Sequence, residues 1–71
     1  MAKKIIFLDP TDKILFTLHD HTVDVCKSHT VIYGKSLFSL FRIFDTIDNF
    51  DIDLNRIRVN YSTGESLLIY P

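Results

Sequence analysis

The stretch Ser36-Leu37-Phe38-Ser39-Leu40-Phe41-Arg42-Ile43-Phe44-Asp45-Thr46-Ile47 decides how the fold is read. Leu37, Leu40, Phe41, Phe44 and Ile47 follow one another at spacings of 3, 1, 3 and 3, the period of one face of an α-helix. Ser36 stands where an N-cap hydroxyl accepts from the first free backbone N–H groups. Ser39, Arg42, Thr46 and Asn49 form a polar stripe on the opposite side. Phe38 and Ile43 widen the apolar arc beyond what one buried helix face needs. The expectation is one amphipathic helix in an otherwise extended chain.

Outward from this stretch the signals are those of strands and turns. Asp9-Pro10-Thr11-Asp12 is a type I turn signal: an Asp, then a Pro with φ preset, then a polar close. It joins Lys4–Leu8 to Lys13–Leu18 as a hairpin. Thr22–Cys26 alternates Val23 and Val25 with polar residues, a third strand. Asn49 to Asp53 is expected to be the loop out of the helix. Asn55–Tyr61 sets Ile57, Val59 and Tyr61 against Arg56, Arg58 and Asn60, and Ser62-Thr63-Gly64-Glu65 turns the chain into a last strand, Ser66–Tyr70. Eight Asp against one Glu fits a chain of strands and turns. The predicted fold is α+β: a mostly antiparallel sheet, in the order β-β-β-α-β-β, packed on one amphipathic helix and spanning residues 1–71 as a single domain.

One helix covers one face of such a sheet. The first strand, however, is apolar on both faces (Ile5 and Phe7, Ile6 and Leu8), and so is the last (Leu67 and Ile69, Leu68 and Tyr70). Contiguous apolar patches of that kind mark interaction surfaces. The surplus therefore predicts a protein partner or a homo-oligomer, the alternatives being a sheet that curls on itself or cover from Phe50 and Ile52.

Composition narrows the function classes. The 71 residues carry 46% hydrophobic side chains and a formal charge of −1, which argues against a polybasic nucleic-acid binder and a heavily acidic DNA mimic alike. Cys26 is the single cysteine, so no intrachain disulfide framework forms and a reducing cytoplasm is expected. Ile5–Leu8 is too short for a secretory leader and no run reaches a membrane span. Phe, Tyr, Met, Ile, Asn and Lys, with AT-rich codons, total 27 residues against eight Gly, Ala, Arg and Pro, as expected of a low-GC genome, plausibly that of a phage or mobile element.

Several constellations invite a chemistry. His19, His21, Cys26 and His29 are zinc-ligand types within eleven residues, but His-x-His-x₄-Cys-x₂-His is no standard zinc spacing. Cys26, alternating with Val23 and Val25, lacks the cationic pocket of a nucleophile. Gly34-Lys35-Ser36 resembles the end of a phosphate-binding loop without its first glycine, since His29 occupies that place. Asp51-x-Asp53-x-Asn55 begins like a calcium loop, but Arg56 and Ser62 stand where its glycine and glutamate belong. No catalytic, cofactor or metal residue is assigned.

Two surfaces remain. Asp45, Asp48, Asp51 and Asp53 concentrate half the aspartates in nine residues; with Phe38 they are the candidate partner-binding residues, because charge clusters steer association. Arg56 and Arg58 share a strand face and are the candidate phosphate contacts of a dimeric nucleic-acid-binding regulator. The function expected is a non-enzymatic cytoplasmic protein (in the host cytoplasm, if viral) that binds and modulates or inhibits a host protein. The nucleic-acid regulator and a structural homo-oligomer subunit are the alternatives; no membrane or small-molecule substrate is expected.

Overall fold

The computed structural model describes residues 2–34 and 41–71. They form seven strands: β1 (Ala2–Leu8), β2 (Ile14–Cys26), β3 (His29–Tyr33), β4 (Phe41–Ile43), β5 (Ile47–Ile52), β6 (Ile57–Tyr61) and β7 (Ser66–Tyr70). All pairings are antiparallel, in one sheet ordered β4-β3-β2-β1-β7-β6-β5.

The α+β expectation is thus overturned: the fold is all-β, with no helix among the described residues. Phe41–Ile43 is a strand, and β5 takes both the end of the predicted helix and most of the predicted loop. Ser36, Leu37, Phe38, Ser39 and Leu40 lie outside the described residues. The reason is visible in the composition of residues 41–52, which hold Phe, Ile, Thr, Asp, Asn and a single Arg but no Ala, Leu, Glu, Gln, Lys or Met. A helical spacing of apolar residues is there, but the side chains are those that lose rotamer freedom in a helix and fit a pleated surface. No helix is long and apolar enough to cross a membrane among the described residues.

The β1–β2 hairpin turns where the sequence places it. Asp12 N donates to Asp9 O (3.0 Å) and Asp9 N to Lys13 O (2.9 Å), while Asp12 takes φ 65°, the left-handed residue that closes a three-residue hairpin loop. The Asp9 Oδ1 atom accepts from Thr11 N (2.8 Å), Thr11 Oγ1 (2.7 Å) and Lys13 N (2.9 Å). These donors, the Thr11 hydroxyl foremost, hold the Asp9 carboxyl below the usual carboxylate pKa. Gly64, at φ 93°, brings the β6–β7 turn against this one: a Cβ there would stand 3.2 Å from Pro10 Cβ.

The second and third predicted strands are a single one. β2 bends at Asp20, whose φ is 57°, so that Ile14–Leu18 and neighbours pair with β1 and Thr22–Cys26 with β3. A strand that switches sheets in this way makes a corner between two packed layers. A second corner lies at Phe44–Thr46, the three residues between β4 and β5. Those strands are the two edges of the sheet, six steps apart, and a flat sheet would hold them about 28 Å from one another. From Ile43 to Ile47 the chain reaches at most about 14 Å. The sheet has to roll.

The roll is directly evident inside. Thr30 on β3 and Tyr61 on β6 lie four strands apart in the order, about 19 Å if flat. Their hydroxyls share a buried 2.7 Å hydrogen bond. Around it Ile5, Phe7, Ile32, Val59 and Leu67 are buried as one cluster. The inward faces of β1 and β7 therefore meet β3, not a helix. Phe7 stacks on Phe16 (5.3 Å between ring centroids) and Phe16 on Phe41 (6.1 Å), carrying the aromatic packing out to the edge strand β4. The curling alternative accounts for that half of the apolar surplus.

The Thr30–Tyr61 bond generates a test. Thr30→Val or Tyr61→Phe alone leaves one buried hydroxyl unpaired and is expected to cost about 1–3 kcal/mol in urea unfolding, with the double variant closer to wild type than the sum. Burial also lifts the Tyr61 phenol above its ordinary 10.0. Its contribution is full below about pH 10 and is lost as the pH rises through the raised native value. Stability curves at alkaline pH should show this loss in wild type and lack it in Tyr61→Phe.

Candidate functional site

Rolling the sheet does not close it. Among the described residues Thr22–Cys26 of β2 pairs with β3 on one side only, the last β1–β2 pair being Ala2 with His21. β5 likewise pairs, among the described residues, only with β6. These two unpaired edges face each other. At one end they touch: Ile47 N donates to Lys27 O at 3.1 Å. From there the gap opens, first between Val25 and Lys27 on one side and Ile47 and Asn49 on the other, then between Val23 and Phe50 and Ile52, with Ala2, Ile57, Ile69 and Pro71 completing the lining. The open part is a groove of about 530 Å³, within the range of about 300–1,000 Å³ usual for binding pockets.

Register explains why the groove is apolar. Directly opposed residues share a face, and Val23 opposes Ile32, Val25 opposes Thr30, Phe50 opposes Val59 and Ile52 opposes Ile57. These four side chains therefore point to the interior, at the place where the interior is left open. Phe50 is 51% and Ile52 78% exposed, and Leu54 just beyond is fully exposed. The intervening residues point outward: Asp24 on β2, and Asn49 and Asp51 on β5, opposite Asn60 and Arg58. Asp24 bears on Tyr33 and raises its phenol pKa, chiefly by charge. Neither Asp24 nor Asp51 has an ion-pair partner among the described residues.

The four candidate aspartates do not sit on a helix end. Asp45 is half-buried between β4 and β5; Asp48 and Asp51 are exposed on β5; Asp53 follows it and caps the turn into β6, its Oδ1 accepting from Asn55 N at 2.9 Å. Three of the four thus run along one free strand edge and its exit. Phe38 lies outside the described residues. Sequence reasoning missed Val23, Val25, Phe50 and Ile52 as lining residues. A signal was present, since Phe50-Asp51-Ile52-Asp53 has the period-two alternation of a half-buried strand.

Arg56 and Arg58 point outward as expected, but they are not a free phosphate strip. Arg58 Nη2 donates to Asp12 Oδ1 (2.8 Å) and Ser66 Oγ (3.1 Å), and its Nε to Asn60 Oδ1 (2.9 Å). Asn60 Nδ2 passes the chain on to Asn49 Oδ1 (2.6 Å) and Asp51 Oδ2 (3.3 Å). This network ties the first turn, β7, β6 and β5 across the outer face. The Arg56 guanidinium is held above its ordinary pKa by its contact with the Tyr70 hydroxyl, with Asp53 and Asp51 adding to it.

The histidine–cysteine group does not converge. His21 Nδ1 lies 2.7 Å from His19 O, His29 Nδ1 is 3.4 Å from Ser28 Oγ, and Cys26, exposed, opposes His29 across the β2–β3 turn. Among the described residues no three His, Cys, Asp or Glu side chains are placed to hold a metal ion. Lys35 and Ser36 of the phosphate-loop resemblance lie outside the described residues. What the site offers is an apolar slot between two strand edges with unpaired backbone groups, flanked outside by carboxylates. Among the described residues no acid, base and nucleophile are arranged together at this slot.

Searches of protein-family models, of curated proteins and of solved structures return no match to this chain.

The Arg58 network predicts an asymmetry between the two arginines. Arg58→Ala removes three hydrogen bonds, one of them part of an ion pair, and is expected to lower unfolding stability by about 1–2 kcal/mol. Arg56→Ala is expected to change it by less than about 0.5 kcal/mol. Paired urea titrations at low and high salt check both.

Proposed function

We propose that this chain is a small non-enzymatic protein that binds another protein and modulates or inhibits it by occupying its surface. The observation that carries this reading is the open seam between β2 and β5, where interior-facing apolar side chains are left uncovered beside exposed carboxylates. Soluble folds seldom leave such a groove without use. In this reading Phe50, Ile52 and Leu54 supply affinity by desolvation, and Asp48, Asp51 and Asp53 orient the partner and speed encounter. A cytoplasmic setting and a phage or mobile-element origin belong to the proposal, resting on the lone cysteine and the AT-rich codon bias.

The alternatives have less support. A nucleic-acid regulator would use Arg56 and Arg58, but the donors of Arg58 are engaged by Asp12, Ser66 and Asn60, and Asp51 stands opposite it. Phosphate recognition needs donors that are free and a positive field. A homo-oligomer built by pairing two β5 edges would bring Asp48, Asp51 and Asp53 against their own copies, and like charges across a strand pair are unfavourable.

Ile52→Asp tests the reading. Ile52 is largely exposed, so the fold should lose less than about 0.5 kcal/mol. Capture of a protein partner from lysate of a low-GC bacterial host should fall by about tenfold or more, equivalent to about 1.4 kcal/mol. Equal capture by wild type and variant would defeat the proposal, as would a gel shift with DNA or RNA that collapses with rising salt.

A further inference from the structure

The seam between β2 and β5 is more specific than an apolar groove. Both of its walls are strand edges whose backbone N–H and C=O groups on the seam side have no strand partner among the described residues: Thr22–Cys26 and Asn49–Ile52. Exposed edges of this kind are templates for an added strand. The walls are joined at one end by the Ile47–Lys27 hydrogen bond, and beyond it the groove between them is lined on its inner side by Ala2, Ile57, Ile69 and Pro71. Its open stretch, residues 22–25 facing 49–52, is four residues long, about 13 Å of extended chain. Side chains alternate along both walls in step. Val23, Val25, Phe50 and Ile52 point in; Asp24 and Asp51 point out.

An added strand has the same two-residue period. Its inward side chains enter the apolar gap, and its outward ones emerge between Asp24 and Asp51. We propose that the seam takes an extended peptide segment of alternating apolar and basic residues, docked as a strand between β2 and β5. This rests on the protein-binding reading above and names the chemistry of its partner. Charge decides the occupant. The outward flank carries Asp24 and Asp51 without ion-pair partners among the described residues. Asp51 accepts from Asn60 and lies opposite Arg58, so Asp24 supplies the larger share of the charge that favours a cationic segment. Asp48, Asp51 and Asp53 disfavour a second copy that presents its own β5 edge.

The probe is a six-residue peptide alternating lysine and valine, acetylated and amidated at its ends. Its binding to the full chain is followed by fluorescence anisotropy and by amide hydrogen exchange. The expected result is binding at least about tenfold tighter than the same peptide with glutamate for lysine. Exchange should slow at amides of residues 22–26 and 47–52. Asp24→Asn with Asp51→Asn should weaken binding about five- to tenfold at low salt, and methylating alternate peptide nitrogens should abolish it. Equal binding of the glutamate peptide, or protection elsewhere on the sheet, overturns the proposal. Protection of the seam that rises with protein concentration and no peptide assigns it to a second copy and overturns it too. If the lysine–valine peptide fails to bind at about 1 mM while Ile52→Asp still abolishes partner capture, strand addition falls and the protein-binding reading stands. If the peptide binds as described and Ile52→Asp leaves capture unchanged, strand addition stands and the protein-binding reading above falls.

Discussion

The constraint on which the rest of the molecule depends is the brevity of Phe44–Thr46. Three residues connect the two edge strands of a seven-stranded sheet, and no flat arrangement permits that. Once the sheet is rolled, the remaining features follow in order. β3 comes down on β6, and the Thr30 and Tyr61 hydroxyls satisfy each other in the interior. The apolar inner faces of β1 and β7 gain a counterpart in Ile32 without any helix. The chain crosses over the β2–β3 turn, which is where Ile47 meets Lys27.

The same constraint explains why the roll is incomplete. A barrel without edges needs every strand paired on both sides, whereas here β2 is shared between two layers, with its second half beyond the reach of β1. β5 enters with an irregularity between Ile47 and Asn49. The bulge and the aspartates are the devices by which natural sheets keep an edge from pairing indiscriminately. An edge guarded by negative charge resists pairing with its own kind.

How far the sequence could be read differs from element to element. Asp9-Pro10-Thr11-Asp12 was legible because its turn is local: one carboxylate, one proline and one left-handed residue within five positions. The alternation of Ile57, Val59 and Tyr61 was legible because a two-residue period reads as a half-buried strand, and Ser66–Tyr70 because the turn signal at Ser62–Glu65 sets an apolar run directly after it. Phe41 to Ile47 was misread because spacing was weighed above side-chain type, and β4, three residues long, is too short to show a period of its own. The aspartates were found, but their setting on a strand edge was not, since an edge is defined by which neighbour is missing. Arg58 was counted as free because its partners Asp12 and Ser66 lie far from it along the chain or on the next strand. Long-range pairing leaves little trace in a local window.

The pairing of β1 with β7 has a bearing on time as well as on shape. Ile5 lies opposite Ile69, and β7 is the strand that joins β1 to β6. Until it has left the ribosome, the chain holds a meander of β1 to β4 and a separate β5–β6 hairpin, with Val59 and Tyr61 lacking the neighbours they bury against. Two-stranded pieces are marginal in water, and closing contacts so distant in sequence is slow. Closing the sheet therefore waits on β7, whose pairing with β1 and β6 joins the two parts. Until then the β5 edge carries Asp48 and Asp51, charges of the kind that keep an unpaired edge from associating.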